Sequence, residues 1–201
     1  MPKIVDHEER RKHIAEATWR IILNQGMKGA SVRNIAKEAG LSLGALRHYF
    51  STQDELLTFA MNLVKERATE RIKLIAARDV SPMEKALLVL QELVPVDRHK
   101  MAETEVWFAF IFYMKYKHTG SDTEKDGVYD VVKVVVDYLE QQQLLRPGMD
   151  VSLETERLYA LVDGIALHAL FDERRSSRER IICILESHLE SICRSEALTH
   201  D

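Results

Sequence analysis

Apolar residues recur along this chain mostly at intervals of three and four, which is the period of an amphipathic α-helix. Only eight glycines and four prolines interrupt the pattern over 201 residues. The pattern predicts an all-α protein of about nine helices, many of which begin at an N-capping serine. The predicted helices span residues 6–24, 31–39, 42–50, 54 to beyond 71, 81–95, 100–117, 122–143, 152–172 and 177–194.

One of these helices is ambiguous by residue propensity. Residues 131–136 contain five valines, which favour a β-strand as much as a helix. The rest of the chain offers no second strand candidate, and a lone strand leaves its backbone groups unpaired on both edges. We therefore predict a helix here as well.

The charged residues are distributed unevenly along the chain. Its 28 Lys and Arg against 32 Asp and Glu give a net charge of -4, which does not indicate a uniformly basic nucleic-acid binder. The first 50 residues nevertheless carry nine basic and five acidic residues, whereas the remainder carries 19 and 27. This segregation indicates two parts with different roles.

Signals for membrane insertion, secretion and metal binding are missing from the sequence. The longest apolar run, residues 106–114, is far shorter than the roughly 20 residues of a membrane-spanning helix, and the N-terminus turns acidic before any apolar signal segment. Cys183 and Cys193 on one helix would lie roughly 15 Å apart, too far for a disulfide. We expect a cytoplasmic protein with no metal site, no cofactor and no membrane contact.

Residues 31–50 have the spacing of a helix-turn-helix. Two short helices that cross steeply need a small residue where they approach, a turn residue that accepts positive φ, and apolar residues that face each other. The residues at these positions are Ala36, Gly40, Ile35, Leu41 and Leu46. Similar hairpins occur in proteins that do not bind DNA, but basic residues are concentrated in this segment.

The second helix of this pair has one apolar side and one small, polar side. A helical wheel places on the buried side Leu43, Leu46 and Phe50. It places on the opposite arc Gly44, Ala45 and His48, flanked by Arg47 and Tyr49. Such an arc is typical of a recognition helix, because small residues allow close approach to the major groove and polar residues reach phosphates or base edges.

The first 60 or so residues resemble the TetR family of bacterial transcription regulators. The residues that carry the resemblance, in the family's order and spacing, are Ile14, Ala17, Ile21, Gly26, Ser31, Val32, Ile35, Ala36, the Ala-Gly-Leu-Ser run at 39–42, Gly44, Leu46, Tyr49, Phe50 and Leu56. The resemblance implies a homodimer that binds a near-palindromic, double-stranded DNA operator and a small-molecule effector that lowers DNA affinity. We therefore divide the chain into a DNA-binding domain, residues 1–53, and a ligand-binding and dimerisation domain, residues 54–201, with helix 54–76 as connector.

The resemblance also implies which residues face the DNA. Carried over by position, they are Ser31, Arg33, Ser42, Leu43, Gly44, Ala45, Arg47, His48 and Tyr49. Two positions depart from the family pattern, which often has Tyr at Arg47 and Lys at Gln53, where the Lys meets a phosphate. Arg47 is a candidate for reading a guanine or for holding a phosphate, and the contact at Gln53 stays open.

Residues 154–193 resemble, more loosely, the C-terminal region of the choline-responsive BetI-type branch. Small residues that permit close helix approach are Ala160, Gly164, Ala166 and Ala169, and an apolar stripe on the last helix consists of Ile181, Leu185, Leu189 and Ile192. Two such helices from each subunit would form a four-helix bundle across a two-fold axis. The stripe is equally compatible with a core face within one chain. The resemblance favours a homodimer through the helices of residues 152–194.

Six of the 14 aromatic residues lie within residues 107–116 and cover every side of one helix. Core packing is the simpler interpretation, because a helix that is apolar all round is usually buried. Part of this surface could instead line a cavity for an apolar or cationic effector, since aromatic faces attract quaternary ammonium groups. The candidate ligand-binding residues are Glu105, Trp107, Phe108, Phe112, Tyr113 and His168, with Glu103 as a second carboxylate. For His168, a core histidine is the simpler interpretation.

The sequence gives no support to catalysis. Residues 40–44 fit G-x-S-x-G, but a nucleophile elbow lies between a strand and a helix, and here the pattern follows a helix. Walker, H-E-x-x-H and Rossmann patterns are missing. We predict that the protein is not an enzyme but a homodimeric transcriptional regulator, a repressor released by an effector; the alternative is a helical adaptor that binds another protein.

Overall fold

The structure of the protein, a computed structural model, describes residues 7–117, 127–172, 174 and 176–194. These residues form nine α-helices and no β-strand, apart from an isolated bridge between Leu145 and Cys193. The helices are α1 His7–Gly29, α2 Val32–Glu38, α3 Leu43–Tyr49, α4 Gln53–Ala76, α5 Pro82–Gln91, α6 Arg98–Lys117, α7 Gly127–Gln141, α8 Val151–Phe171 and α9 Arg178–Ile192. The all-α prediction is confirmed.

Several helices begin at the N-caps that the sequence indicates. The hydroxyl oxygens of Ser31, Ser42 and Ser81 accept hydrogen bonds from backbone N–H groups three residues later, at 3.2, 3.1 and 3.2 Å. Each bond satisfies one of the backbone donors that a helix start leaves without an intrahelical partner. The predicted starts of α2, α3 and α5 are therefore correct.

The other helix boundaries differ by a few residues. Helix α5 ends at Gln91 instead of residue 95, because the N–H groups of Glu92 and Leu93 bond to carbonyls three residues back and tighten the last turn. Helix α1 ends at Gly29 and contains a kink at Gly26, whose φ of 66° is not helical. Residues 122–126, where we predicted the start of the seventh helix, lie outside the described residues.

The valine-rich segment is helical, as predicted. In α7 the residues Val132, Val135, Val136 and Leu139 are buried. Their spacing places them on one face, so helical periodicity and burial outweigh the β-propensity of the individual valines.

The chain forms two compact units. Unit 1 comprises Met1–Glu66 and Glu105–Thr119, and unit 2 comprises Arg67–Thr104 and Gly120–Asp201. The divisions fall inside α4 and α6, so both helices contribute residues to both units. The functional boundary that we place after residue 53 is a separate matter and stays a prediction.

Each unit has its own apolar core. In unit 1 the side chains of Ile14, Ile35, Leu46 and Phe50 are fully buried, and the Phe50 and Phe59 rings pack with centroids 4.9 Å apart. In unit 2 the core joins residues of α4, α5, α7, α8 and α9. No helix in the described part of the chain is both long and apolar enough to span a membrane.

Candidate nucleic-acid interface

The turn between α2 and α3 has the geometry of a helix-turn-helix. Gly40 adopts a φ of 64°, and the N–H of Leu41 donates to the carbonyl of Ala36 over 2.8 Å. A Cβ built at Gly40 would have no neighbour within 4 Å. The backbone conformation, not lack of space, therefore selects glycine at this position.

Helix α3 divides into a buried and an exposed side at the predicted residues. Leu46 and Phe50 are fully buried and Leu43 is half-buried, which anchors the helix in unit 1. The opposite arc consists of exposed Gly44, Arg47 and His48 and half-buried Ala45 and Tyr49. The structure brings these residues together on one surface. Their contact with DNA stays a prediction.

Two arginines give this surface positive charge. Arg33 on α2 and Arg47 on α3 are exposed and form no ion pair among the described residues. The acidic side chain of Glu38, by contrast, is engaged by Arg20 of α1 over 2.7 Å. The guanidinium groups are therefore available to phosphate oxygens or to the acceptor edge of guanine.

The two capping serines have a second capacity. Ser31 is half-buried and Ser42 is exposed, and both hydroxyl oxygens already accept a backbone hydrogen bond. A hydroxyl that accepts in this way retains its own hydrogen for donation. Both residues can therefore donate to a phosphate without releasing their helices.

Helix α4 begins with a capping arrangement. The Thr52 hydroxyl oxygen accepts from the N–H of Glu55 over 3.1 Å, and the Glu55 carboxylate accepts from the N–H of Ser51 over 2.9 Å. This arrangement fixes the start of the helix directly after α3. The side chain of Gln53 lies outside the described residues, so the contact that we left open there is not addressed.

The predicted effector residues divide between the two units. Residues Glu105, Trp107 and Phe108 are half-buried and Phe112 is exposed, all in unit 1, and the Phe108 and Phe112 rings are 6.2 Å apart. The side chain of Tyr113 lies outside the described residues. His168 belongs to unit 2 and is exposed, so its interpretation as a core histidine is wrong. A ligand-binding role for any of the six stays a prediction.

The apolar stripe of α9 belongs to the core of its own chain. Ile181, Leu185 and Leu189 are at most 1% exposed. The outward side of α8 is different, with Leu153 56% and Phe171 80% exposed at its two ends. Between them lies Gly164, where an added Cβ would meet no atom within 4 Å. This outward side of α8 is the one that a second subunit could cover.

Residues 14–58 match the family model described as "Bacterial regulatory proteins, tetR family", and residues 82–194 match that of "BetI-type transcriptional repressor, C-terminal". The chain is 57% identical to the HTH-type transcriptional regulator PksA of Bacillus subtilis (strain 168), over 96% of this chain and 94% of that protein. The chain belongs to the TetR family. It is a DNA-binding transcriptional regulator with a helix-turn-helix.

The chain is also similar to more distant proteins, one by sequence and two by fold. BetI of Yersinia pestis (strain Pestoides F) is 24% identical over 94% of this chain and 96% of that protein. A transcriptional regulator from Rhodococcus sp. Rha1 superimposes with a TM-score of 0.74 at 25% identity, covering 90% and 95% of the two chains. A putative regulator from Saccharomonospora viridis, solved with choline, gives 0.76 at 21% identity, covering 93% and 99%.

Sequence reasoning missed a group of ion pairs in unit 2 of this TetR-family chain. Arg71 of α4 donates to Glu92 over 2.6 Å and to Glu103 over 2.7 Å, and Lys100 of α6 pairs with Glu92. The expectation that Glu103 could balance a cationic ligand is therefore wrong, because its carboxylate is already engaged by Arg71 and the residue is buried. Helical periodicity carries no signal for such pairing, which joins residues of α4 and α6 with Glu92, the residue that follows α5.

Burial and pairing act differently on the two ends of the Arg71–Glu103 pair. Burial raises the pKa of the Glu103 carboxyl, although its hydrogen bond with Arg71 lowers it in part. Burial opposes the charge of Arg71 too, but the hydrogen bonds with Glu92 and Glu103 outweigh it and raise the pKa of the guanidinium. Burial dominates the pKa of Glu103 but not that of Arg71, because the side chain of Arg71 is 33% exposed and that of Glu103 only 8%.

A second missed contact lies in unit 1. The Glu105 carboxylate lies against the kink of α1, with its Oε2 atom 2.8 Å from the position that a Cβ at Gly26 would take. Gly26 also has a positive φ, so its backbone conformation disfavours any residue with a side chain. The sequence indicated one of the two residues in this contact, because Gly26 is among the residues that carry the family resemblance.

Proposed function

We propose that this regulator is a homodimeric repressor that binds a near-palindromic operator through α3 and leaves it when a small-molecule effector binds. The observation that carries the proposal is the exposed arc of α3, where small residues lie beside Arg47, together with Arg33 of α2; neither arginine forms an ion pair among the described residues. Such an arc fits a major groove, and two copies related by a two-fold axis fit a two-fold-symmetric site. We place the protein in the cytoplasm, where its DNA target is.

Dimerisation is proposed through the α8–α9 pair. The support is the outward side of α8, where Gly164 leaves room for a close helix approach and exposed Leu153 and Phe171 offer apolar surface. The resemblance of residues 82–194 to BetI-type repressors adds to this support. In the dimer, α8 and α9 of both subunits would form a four-helix bundle.

Release is proposed to be a shift between two populations. An effector that binds better to the arrangement with widely separated DNA-binding domains lowers operator affinity by its differential affinity for the two arrangements. Helix α4 is the proposed connector, because it runs from the helix-turn-helix to the ion pairs of Arg71. The relatives named for BetI and PksA are regulators, which favours this function over a helical adaptor.

The decisive experiment selects bound sequences from random duplex DNA with the purified protein at two salt concentrations. We expect a near-palindrome whose half-sites lie about one helical turn or a multiple apart, with affinity that falls steeply as salt rises. Arg33→Ala and Tyr49→Phe should each weaken binding to that operator by roughly 1–3 kcal/mol, whereas Arg180→Ala on α9 should not. Recovery of no sequence, with no retention at low salt, would favour the adaptor.

A further inference from the structure

We propose that a cleft in unit 2 binds an organic anion with an apolar part, and that this anion is the effector of the proposed repressor. The cleft is a cavity of about 250 Å³, near the lower end of the roughly 300–1,000 Å³ of ligand pockets. Residues of four segments line it: α4, α5 with the loop that follows it, the start of α6, and the start of α9. The role of the anion as effector rests on the proposed function, whereas the binding site itself does not.

The charges that line the cleft divide into an inner and an outer group. In the inner group, Arg71 and Lys100 are matched by Glu92 and Glu103, which both cations contact. The carboxylate of Asp97, at the rim, accepts a hydrogen bond from the N–H of Lys100 over 2.9 Å and so caps α6. These groups satisfy one another.

The outer group consists of Arg78 and Arg178, which also line the cleft. Both are exposed, and neither guanidinium has a hydrogen bond or ion pair within the described part of the chain. Two unpaired guanidinium groups at one cleft favour a ligand with a carboxylate or phosphate group, which can accept bidentate hydrogen bonds. A quaternary ammonium ligand would be repelled by the same groups.

An apolar surface lies beside these arginines. Leu74, whose exposed fraction is 68%, lines the cleft together with Leu88 and the buried residue Val96. An exposed leucine at the rim of a charged cleft loses unfavourable water contact when an apolar group covers it. The ligand class is therefore an amphiphilic anion, not a bare inorganic ion.

Helix geometry explains why these residues converge. Arg71, Leu74 and Arg78 follow the spacing i, i+3 and i+7 on α4, so they lie on one face. Arg178 is separated by three and seven residues from Ile181 and Leu185, so it extends the buried stripe of α9 by one turn. This face of α9 points into its own chain, not toward the outward side of α8 that we assign to the partner subunit.

Binding here would act directly on α4. Arg71 belongs to the same face of α4 as Arg78 and is held by the carboxylates of Glu92, directly after α5, and Glu103 of α6. An anion in the cleft competes with Glu92 and Glu103 for the Arg71 guanidinium and so biases the position of α4 relative to α5 and α6 within unit 2.

The test uses octanoate as the probe, with octanol and choline as matched neutral and cationic comparators. We measure binding to the full-length protein by isothermal titration calorimetry, without DNA. Octanoate should bind saturably and choline should not, and octanol should bind at least about tenfold more weakly. Arg78→Gln combined with Arg178→Gln should weaken octanoate binding about tenfold or more, whereas Lys73→Gln combined with Arg180→Gln, on the same two helices, should leave it unchanged.

Each outcome bears on one half of the proposal. No saturable octanoate binding up to millimolar concentration, or equal binding by both double variants, overturns the site. Octanoate that binds through the two arginines but leaves affinity for the selected operator unchanged overturns the effector role alone. Operator binding by the free protein is measured separately, so failure of the anion site is distinguishable from failure of the repressor proposal.

Discussion

Helices α2 and α3 pack against each other, whereas α8 packs mainly on α7 and α9 mainly on α5, so the sequences of the two pairs had to be interpreted differently. In the α2–α3 pair, seven-residue helices bury one side, so the opposite side of α3 is free for a ligand. In the α8–α9 pair, longer helices carry apolar residues on more than one side, and the most regular stripe packs inside the chain. Regular apolar periodicity therefore identifies the core, and the partner surface has to be found among what remains exposed.

The largest effect that separates the two pairs should come from their buried leucines. Leu46 of α3 and Leu158 of α8 are both fully buried, so replacement of either by alanine should lower the free energy of unfolding by about 2–5 kcal/mol. We expect Leu46→Ala to abolish operator binding while most helical circular dichroism persists at 25 °C. Leu158→Ala should lower the midpoint of urea unfolding of unit 2.

The two leucine variants also test whether the units unfold separately. Denaturation followed by circular dichroism and by operator binding should give different midpoints in Leu46→Ala and closer ones in the wild type. Loss of all structure in both variants at the same denaturant concentration would contradict the division into two units.

The second largest effect should come from a substitution on the outward side of α8, where we propose that the partner subunit binds. Gly164→Arg places a long charged side chain where we expect a second subunit, and it should raise the dimer dissociation constant by roughly 10- to 100-fold. Val134→Arg on α7 is the matched control, because Val134 is 65% exposed and lies outside the α8–α9 pair. Analytical ultracentrifugation measures both. A Gly164→Arg dimer as tight as the control would move the interface elsewhere.

Local signals account for what could be predicted from the sequence. Ser31, Ser42 and Ser81 act within their own helical turns, and Gly40 acts within one turn of chain, so residue type and spacing were sufficient. The exposed arc of α3 was equally predictable, because a short helix with one apolar side leaves few alternatives.

Contacts between distant segments account for what was missed. Glu103 and Arg71 are 32 residues apart, and Glu105 meets α1 at Gly26, so neither pairing leaves a periodic signal in the sequence. The aromatic residues of α6 show a second limit, because the sequence does not indicate which residues of one apolar run are buried. Phe110 is 4% exposed and Phe112 52% exposed, although both belong to the same apolar run.

A smaller and more uniform effect should come from two glycines with positive φ. Gly40 in the helix-turn-helix and Gly148 before α8 have φ values of 64° and 79°, and a Cβ at either would meet no atom within 4 Å. Alanine at either position should therefore lower the free energy of unfolding by about 1–2 kcal/mol through backbone strain alone. Only Gly40→Ala should also weaken operator binding. Equal operator affinity in both variants would show that the turn tolerates the strain without moving α3.

The smallest effect should be a pH dependence of the free energy of unfolding that comes from His188 of α9. Burial lowers the pKa of the His188 imidazole from its ordinary value of 6.5, although Glu154 raises it in part, and its buried Nε2 atom has no hydrogen-bond partner among the described residues. The unfolded chain therefore takes up the proton first as the pH falls. The contribution of His188 to stability is fully present above pH 6.5 and is lost as the pH falls through 6.5 toward the lowered folded-state pKa.

His188→Gln removes this titration and leaves the other ionisable groups in place. The difference in unfolding free energy between wild type and variant should therefore change in favour of the variant between about pH 7.5 and about pH 5.5. The effect is small because the ring is only half-buried. Urea unfolding of both proteins across that range measures it. Parallel curves of unfolding free energy against pH would mean that the imidazole has a hydrogen-bond partner outside the single chain. Such a partner would be water or a group on the second subunit.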